Sequence, residues 1–284
     1  VKAGDTGIAR ALLAAGADAN AANGDGETAL MLAARSGASE VAALLLAHGA
    51  DANAREAWRE QTALMWAADG AHAAVVALLI EHGADVQARA AANDWGAQIT
   101  SEPRAQYRPT GGLTPLLFAA RSGCVDCVRA IVAAGENVDR PTPDGTTALM
   151  IALDNYEFDT ASALLDLGAN PHYADWWGRT ALYLAVDMNT YVPREPVYPR
   201  STHTTGLDLV RRLLAAGVEV NAQLNMHRPG RGGNSARFVD DLLTAGATPL
   251  LRAAMMHDHA AMQLLLEHGA TVDLSNVMGV TPLM

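Results

Sequence analysis

The sequence predicts an all-α repeat solenoid, built from stacked helix-turn-helix units with β-hairpin loops between them. Three observations carry this expectation. A T-[AP]-L signal recurs at Thr28, Thr62, Thr114, Thr147, Thr180, Thr248 and Thr281, 33 or 34 residues apart in four of the six intervals. A glycine stop recurs in the same register at Gly16, Gly49, Gly83, Gly135, Gly168, Gly217 and Gly269. Half of the residues are apolar, enough for a continuous interior. A fixed period of this size marks repeats that bury their apolar faces against neighbouring copies.

Each element of the unit has a local cause. In Thr28-Ala29-Leu30 the hydroxyl can cap a helix start. Pro115, Pro249 and Pro282 fall in the first turn, where a missing N–H costs little. The pairs Ala33-Ala34, Ala67-Ala68, Ala119-Ala120 and Ala253-Ala254 permit close helix packing. A tight turn follows, then a second helix carrying Val41, Leu44, Leu45 and Leu46. Gly49 supplies a left-handed residue that ends it. The stretch ADANAREAWRE is rich in turn formers and suits an extended hairpin loop.

These motifs resemble the ankyrin repeat family, whose pattern runs D-x-x-G-x-T-P-L-H-x-A-A and then V-x-x-L-L-x-x-G-A-D-x-N. The matches include DGETAL with GADAN, GLTPLLFAA, DGTTALMIAL and ATPLLRAA with HGATVD. The resemblance implies a single domain over residues 1–284, with about six complete repeats and a partial repeat at each end. The chain opens on a second helix and closes on VTPLM, so a segment of a longer, bacterial-type protein is expected. The family histidine after T-P-L is replaced by Met31, Met65, Leu117, Met150, Tyr183, Leu251 and Met284. Packing by apolar side chains must take its place, which bears on the rigidity of loop-to-loop contacts and not on the fold.

Three insertions break the spacing, at 89–111, 190–205 and 222–245. They hold six of the 12 prolines and eight arginines, and sum to +3 against −14 for the remainder. SARFVDDLLTAG within the third reads as a short extra helix. Long loops on a compact fold are often functional, although insertions are also tolerated at little energetic cost.

The overall charge of −11 disfavours nucleic acid or an anionic membrane as partner. No apolar run reaches the ~18 residues of a membrane span. Nineteen of the 20 basic residues are Arg, a bias consistent with a GC-rich bacterial genome. The location is left open between bacterial cytoplasm and an extracytoplasmic compartment.

The remaining candidates divide into packing and contact residues. Cys124 and Cys127 form a C-x-x-C, which can support redox or metal chemistry. They lie in register with Ala38 and the core position Val41, which favours a packing role; two cysteines make no disulfide framework. His48, His82 and His268 recur at helix ends, where a cation suits the dipole. His257-Asp258-His259 is a weak metal-binding pattern. Trp66 shares a position with Leu32, Phe118, Ile151 and Leu184 and reads as core. Of the adjacent Trp176 and Trp177, one is expected packed and one available, because neighbouring residues on an extended segment point opposite ways.

No phosphate loop, nucleophile elbow or H-E-x-x-H occurs, so no catalytic, metal or cofactor site is expected. The expected function is a protein-interaction scaffold, recognising a protein on a concave face of loop tips and first helices. Aromatic and arginine anchors typify such contacts. The candidates are Trp58, Arg59, Trp95, Arg104, Tyr107, Arg108, Trp176, Trp177, Arg228 and Arg231, with Tyr191 and Tyr198 on the other edge. Two alternatives are a structural subunit of a larger assembly and a targeting arm of a longer enzyme.

Overall fold

The computed structural model describes residues 5–93, 110–190, 203–225 and 245–284. They fall into two compact units, one ending at Thr142 and the other beginning at Pro143.

The first unit holds α1 (Thr6–Ala14), α2 (Ala29–Ser36), α3 (Ser39–Ala47), α4 (Ala63–Asp69), α5 (Ala73–Glu81), α6 (Pro115–Ser122) and α7 (Val125–Ala133). Within it α2 packs on α3, α4 on α5 and α6 on α7. The first helices α2, α4 and α6 stack in one layer, and α1, α3, α5 and α7 in another. The second unit repeats this plan with α8 (Ala148–Asp154), α9 (Phe158–Asp166), α10 (Ala181–Asn189), α11 (Gly206–Ala215), α12 (Pro249–Met255) and α13 (His259–Glu267). Here α8, α10 and α12 form one layer and α9, α11 and α13 the other. The fold is an all-α repeat solenoid of stacked helix pairs.

The helix starts behave as the threonines predict. The hydroxyl oxygens of Thr28, Thr62, Thr147, Thr180 and Thr248 each accept the N–H three residues on, at 3.1–3.4 Å. These helices run only 7–9 residues. Isolated helices of this length are unstable in water, so packing must hold them. Six of the seven apolar residues that replace the family histidine do this: Met31, Met65, Leu117, Met150, Tyr183 and Leu251 are all at most 2% exposed, whereas Met284 is exposed. Ala33, Ala34, Ala67, Ala68, Ala119 and Ala120 are fully buried, as close helix packing requires. Gly49 closes the second helix at φ +82°, in the left-handed region.

The β-hairpin expectation is met only in part. Among the described residues, strand pairing is limited to β1 (Ala92–Asn93) with β2 (Thr110–Gly111), at the base of the first insertion, and to bridges Ala22–Thr28 and Ala174–Thr180. One backbone bond closes each of three loops, from Asn23 to Glu27, Asp175 to Arg179 and Asn276 to Val280, and a side chain takes the N–H groups that further pairing would use. Asn23 Oδ1 accepts from Asp25 and Glu27, Asp175 Oδ1 from Trp177 and Arg179, and Asn276 Oδ1 from Met278 and Val280.

Loop-to-loop order does not depend on the missing histidine. Asn20 donates to the Gly49 carbonyl and accepts the Asp51 N–H, at 2.9 and 2.7 Å. Asn53 makes the same pair of bonds with Gly83 and Asp85. In the second unit Asn221 does so with Gly269 and Thr271. The asparagine that closes each GADAN, and Asn221 at the end of GVEVN, thus ties its loop to the next.

The other packing expectations resolve individually. His48, His82 and His268 bring Nδ1 within 2.8–2.9 Å of the carbonyl four residues back, so that nitrogen carries the proton and caps the helix. Asp258 caps α13 through Ala261 and accepts Asn189 Nδ2, which commits its carboxylate to structure. Cys127 is fully buried, as its register requires, and the structure adds a disulfide to Cys124. The bond spans three residues of one helical turn, so it constrains little chain.

Candidate functional site

The loop 55–61 of the first unit is built around Glu56. Its side chain is 5% exposed, yet its carboxylate is fully occupied. It accepts the N–H groups of Trp58, Arg59 and Gln61 at 2.7, 2.8 and 2.9 Å. A charged acceptor makes such bonds strong, which fixes the loop backbone. A second tie comes from the Ala57 N–H, which donates to the Asp25 carbonyl of the preceding loop at 2.8 Å. The consequence is that Trp58 is held out from the surface, 81% exposed, on a rigid turn. Arg59 beside it is exposed too.

Beneath this loop lies a cleft of about 350 Å³, floored by first helices. Trp66 of α4 and Phe118 of α6 supply its aromatic surface. The Trp66 indole N–H donates to Gln61 Oε1 at 2.8 Å, which sets the ring's orientation. Arg35 of α2 lies over the Trp66 ring at 4.9 Å, and Arg121 over Phe118 at the same distance. Arg121 also pairs with Asp69 at 2.6 Å.

Trp66 therefore departs from its expected core role: it is half-buried and lines the cleft. Helical geometry gives the reason. On α2 the residues Leu30, Met31, Ala33 and Ala34 are buried, whereas Leu32 and Arg35 are not. The fourth and seventh positions after each threonine share the remaining face. Trp66 occupies the first of these positions, and Arg35, Asp69 and Arg121 occupy the second. An arginine three residues after an apolar position was the available signal, since i and i+3 lie together on a helix.

The second unit places its tryptophans differently. Trp176 is 47% exposed and Trp177 only 4%, the division expected of adjacent residues. Arg179 lies over the Trp177 ring at 4.9 Å and bonds Asp175 through Nε at 2.7 Å. Burial pushes the Asp175 carboxyl above its ordinary range, against the opposing pull of Arg179. On the first-helix layer, Arg252 occupies the position of Trp66 and Asp187 that of Arg35. They form a buried pair at 2.6 Å, with side chains 6% and 0% exposed. The aligned face here is filled by an internal ion pair rather than by aromatic rings.

Of the twelve expected contact residues, the structure places four. Trp58 and Arg59 share one cleft wall, and Trp176 and Trp177 share one loop of the second unit. Trp95, Arg104, Tyr107, Arg108, Tyr191, Tyr198, Arg228 and Arg231 lie outside the described residues, as does most of SARFVDDLLTAG. Among the described residues no group of three His, Cys, Asp or Glu side chains is arranged to hold a metal ion. No described helix is long and apolar enough to cross a membrane.

Comparison with known proteins agrees with this architecture. A model of ankyrin repeats in three copies matches residues 1–90, 97–175 and 116–193, and a single ankyrin repeat model matches residues 245–277. The chain is 28% identical over 181 residues to the Escherichia coli (strain K12) ankyrin repeat protein YahD, covering 59% of this chain and 85% of that one. It is 28% identical over 187 residues to human SH3 and multiple ankyrin repeat domains protein 2, covering 62% of this chain and 10% of that one. The human ASB11 ankyrin repeat domain superposes with a TM-score of 0.63 at 21% identity, covering 90% of each chain, a likeness of fold. With a repeating threonine cap, paired short helices and family models matching most of its length, this chain belongs to the ankyrin repeat family.

Proposed function

We propose that the chain is a protein-interaction scaffold whose first unit takes up a protein segment in the cleft beneath Trp58, aided by the enlarged loops. A scaffold role in protein binding is general to ankyrin repeat proteins; the cleft and the loops are the specific reading for this chain. The observation that carries it is Trp58, a large aromatic residue 81% exposed on a loop braced by a buried carboxylate. Holding an apolar ring in water on a rigid support leaves little ordering cost to meet on binding. Tryptophan and arginine dominate the energetics of interfaces, and Trp58, Trp66, Arg35 and Arg59 line this cleft.

A displayed library of random linear peptides, selected on the full chain, tests the reading. Selected peptides should lose about thirtyfold in affinity on Trp58→Ala, equivalent to roughly 2 kcal/mol for an interface anchor. The melting temperature should stay unchanged, because the ring packs on little. Selected peptides that bind Trp58→Ala as tightly as the parent protein would place recognition elsewhere.

A further inference from the structure

The chemistry of the cleft specifies which kind of segment it takes, if the scaffold reading above is correct. Three carboxylates line the cleft, and each is already engaged. Glu56 is consumed by three backbone N–H groups. Glu27 Oε2 accepts the Asn23 amide at 2.9 Å. Asp69 is paired with Arg121 at 2.6 Å. The two arginines on the walls are not engaged in this way. Arg59 makes no side-chain hydrogen bond or ion pair among the described residues, and the Arg35 guanidinium, stacked on the Trp66 ring, makes none either. Guanidinium stacked on an indole keeps its N–H donors directed outward for a bidentate acceptor.

From this we infer that the cleft of the first unit binds an acidic peptide segment, with an apolar or aromatic side chain against Trp58 and Trp66 and flanking carboxylates on Arg35 and Arg59. The overall charge of −11 opposes an acidic partner at long range. At physiological ionic strength that field decays over about 8 Å. The two arginines act at contact distance, beside apolar rings that a bound segment would cover, so the local term decides. Charge complementarity also gives selectivity, because a basic segment would set its cations against Arg35 and Arg59, whereas Asp69 is neutralised by Arg121 and the Glu56 carboxylate is turned into its own loop.

Three synthetic peptides test this, sharing a central Leu-Trp and flanked by Glu, Gln or Lys. Binding to the full chain is measured by titration calorimetry at physiological salt. The Glu peptide should bind at least tenfold more tightly than the Gln peptide, with the Lys peptide weaker still. Arg59→Glu, which leaves the Glu56 bonds to the backbone in place, should reverse that order with an unchanged circular dichroism spectrum. Equal binding of all three peptides, lost on Trp58→Ala, would overturn the acidic preference while leaving the cleft as a binding site. Preference for the Lys peptide would do the same. Binding by none of them would overturn both.

Discussion

At the residue scale, the turn between the two helices of a unit shows how a repeat tolerates local strain. Nine residues after the capping threonine the backbone is left-handed in five units. Gly37 and Gly123 meet this at φ +69° and +76°. Ala71, Tyr156 and His257 occupy the aligned positions at +57°, +63° and +54°. A non-glycine residue there costs roughly 1–2 kcal/mol, against about 0.5–1 kcal/mol for the extra freedom that glycine loses on folding. Ala71→Gly should therefore raise stability by a few tenths to about 1 kcal/mol, read from chemical denaturation. Gly37→Ala should lower it, since the new Cβ would meet the His72 ring at 2.6 Å as well as the strained φ. Asp159 is a second single-residue device. Burial works against its ionisation, but the N–H groups of His203 and Thr204 donate to it at 2.8–2.9 Å and hold its carboxyl below the ordinary range. A carboxyl depressed on folding stabilises fully above its unfolded value of about 3.9, and that stability is lost as pH falls through the lower folded value. Asp159→Asn should lower the melting temperature at neutral pH, with the difference vanishing once the pH is below the folded value.

At the element scale, the repeat was legible because its signals are local and recur. Thr28 and its copies cap helices, Gly49 ends one, and the alanine pairs let helices approach; each follows from residue chemistry at short range. The loops were less legible, because their structure depends on side chains reaching backbone N–H groups whose geometry no periodicity encodes. Asn23, Glu56, Asp175 and Asn276 are four such braces, using three residue types at one structural place. The asparagine ties were visible in G-A-D-x-N, but their reach across some 30 residues to the next loop was not. Glu136 shows an element under tension. It stands where the other units have Ala50, Ala84, Ala169 and Ala270, and it is 4% exposed. Neither carboxylate oxygen has a hydrogen-bond donor among the described residues, and Arg140 lies 3.8 Å away. Burial pushes its carboxyl above the ordinary range. A raised carboxyl destabilises the fold above that folded value and is neutral below the unfolded one. Glu136→Ala should accordingly stabilise the protein by about 1 kcal/mol at neutral pH, the scale of an unsatisfied buried group. Thermal melts should show the gain shrinking as pH falls toward about 4.3, the unfolded glutamate value.

At the scale of the whole molecule, the chain is acidic and repetitive, and its distinctive chemistry is concentrated where the repeat varies. Two such places are on the described first-helix layers. In the first unit the variable face carries Trp66 and Phe118 under the exposed Trp58, with two unengaged arginines. In the second the same positions carry the buried Arg252–Asp187 pair. Neutralising one partner of a buried ion pair leaves the other charge under-compensated, so Asp187→Asn should cost about 3 kcal/mol by denaturation. The sequence did not separate these two faces: Trp66 looked like core because its aligned neighbours are apolar, and only the packing of α2 and α4 shows that Leu32 and Trp66 are half-buried while Phe118 and Leu184 in the same row are buried. The expected contacts in the three insertions fall outside the described residues, which leaves the cleft as the described surface on which the scaffold reading rests. The direct measurement is a heteronuclear spectrum of the five tryptophan indole N–H groups, assigned by single Trp→Phe substitutions, recorded on addition of a peptide selected against the chain. The cleft predicts shifts at Trp58 and Trp66, with Trp177 unmoved. Shifts confined to Trp176, or indole signals that stay in place while the peptide binds, would contradict it.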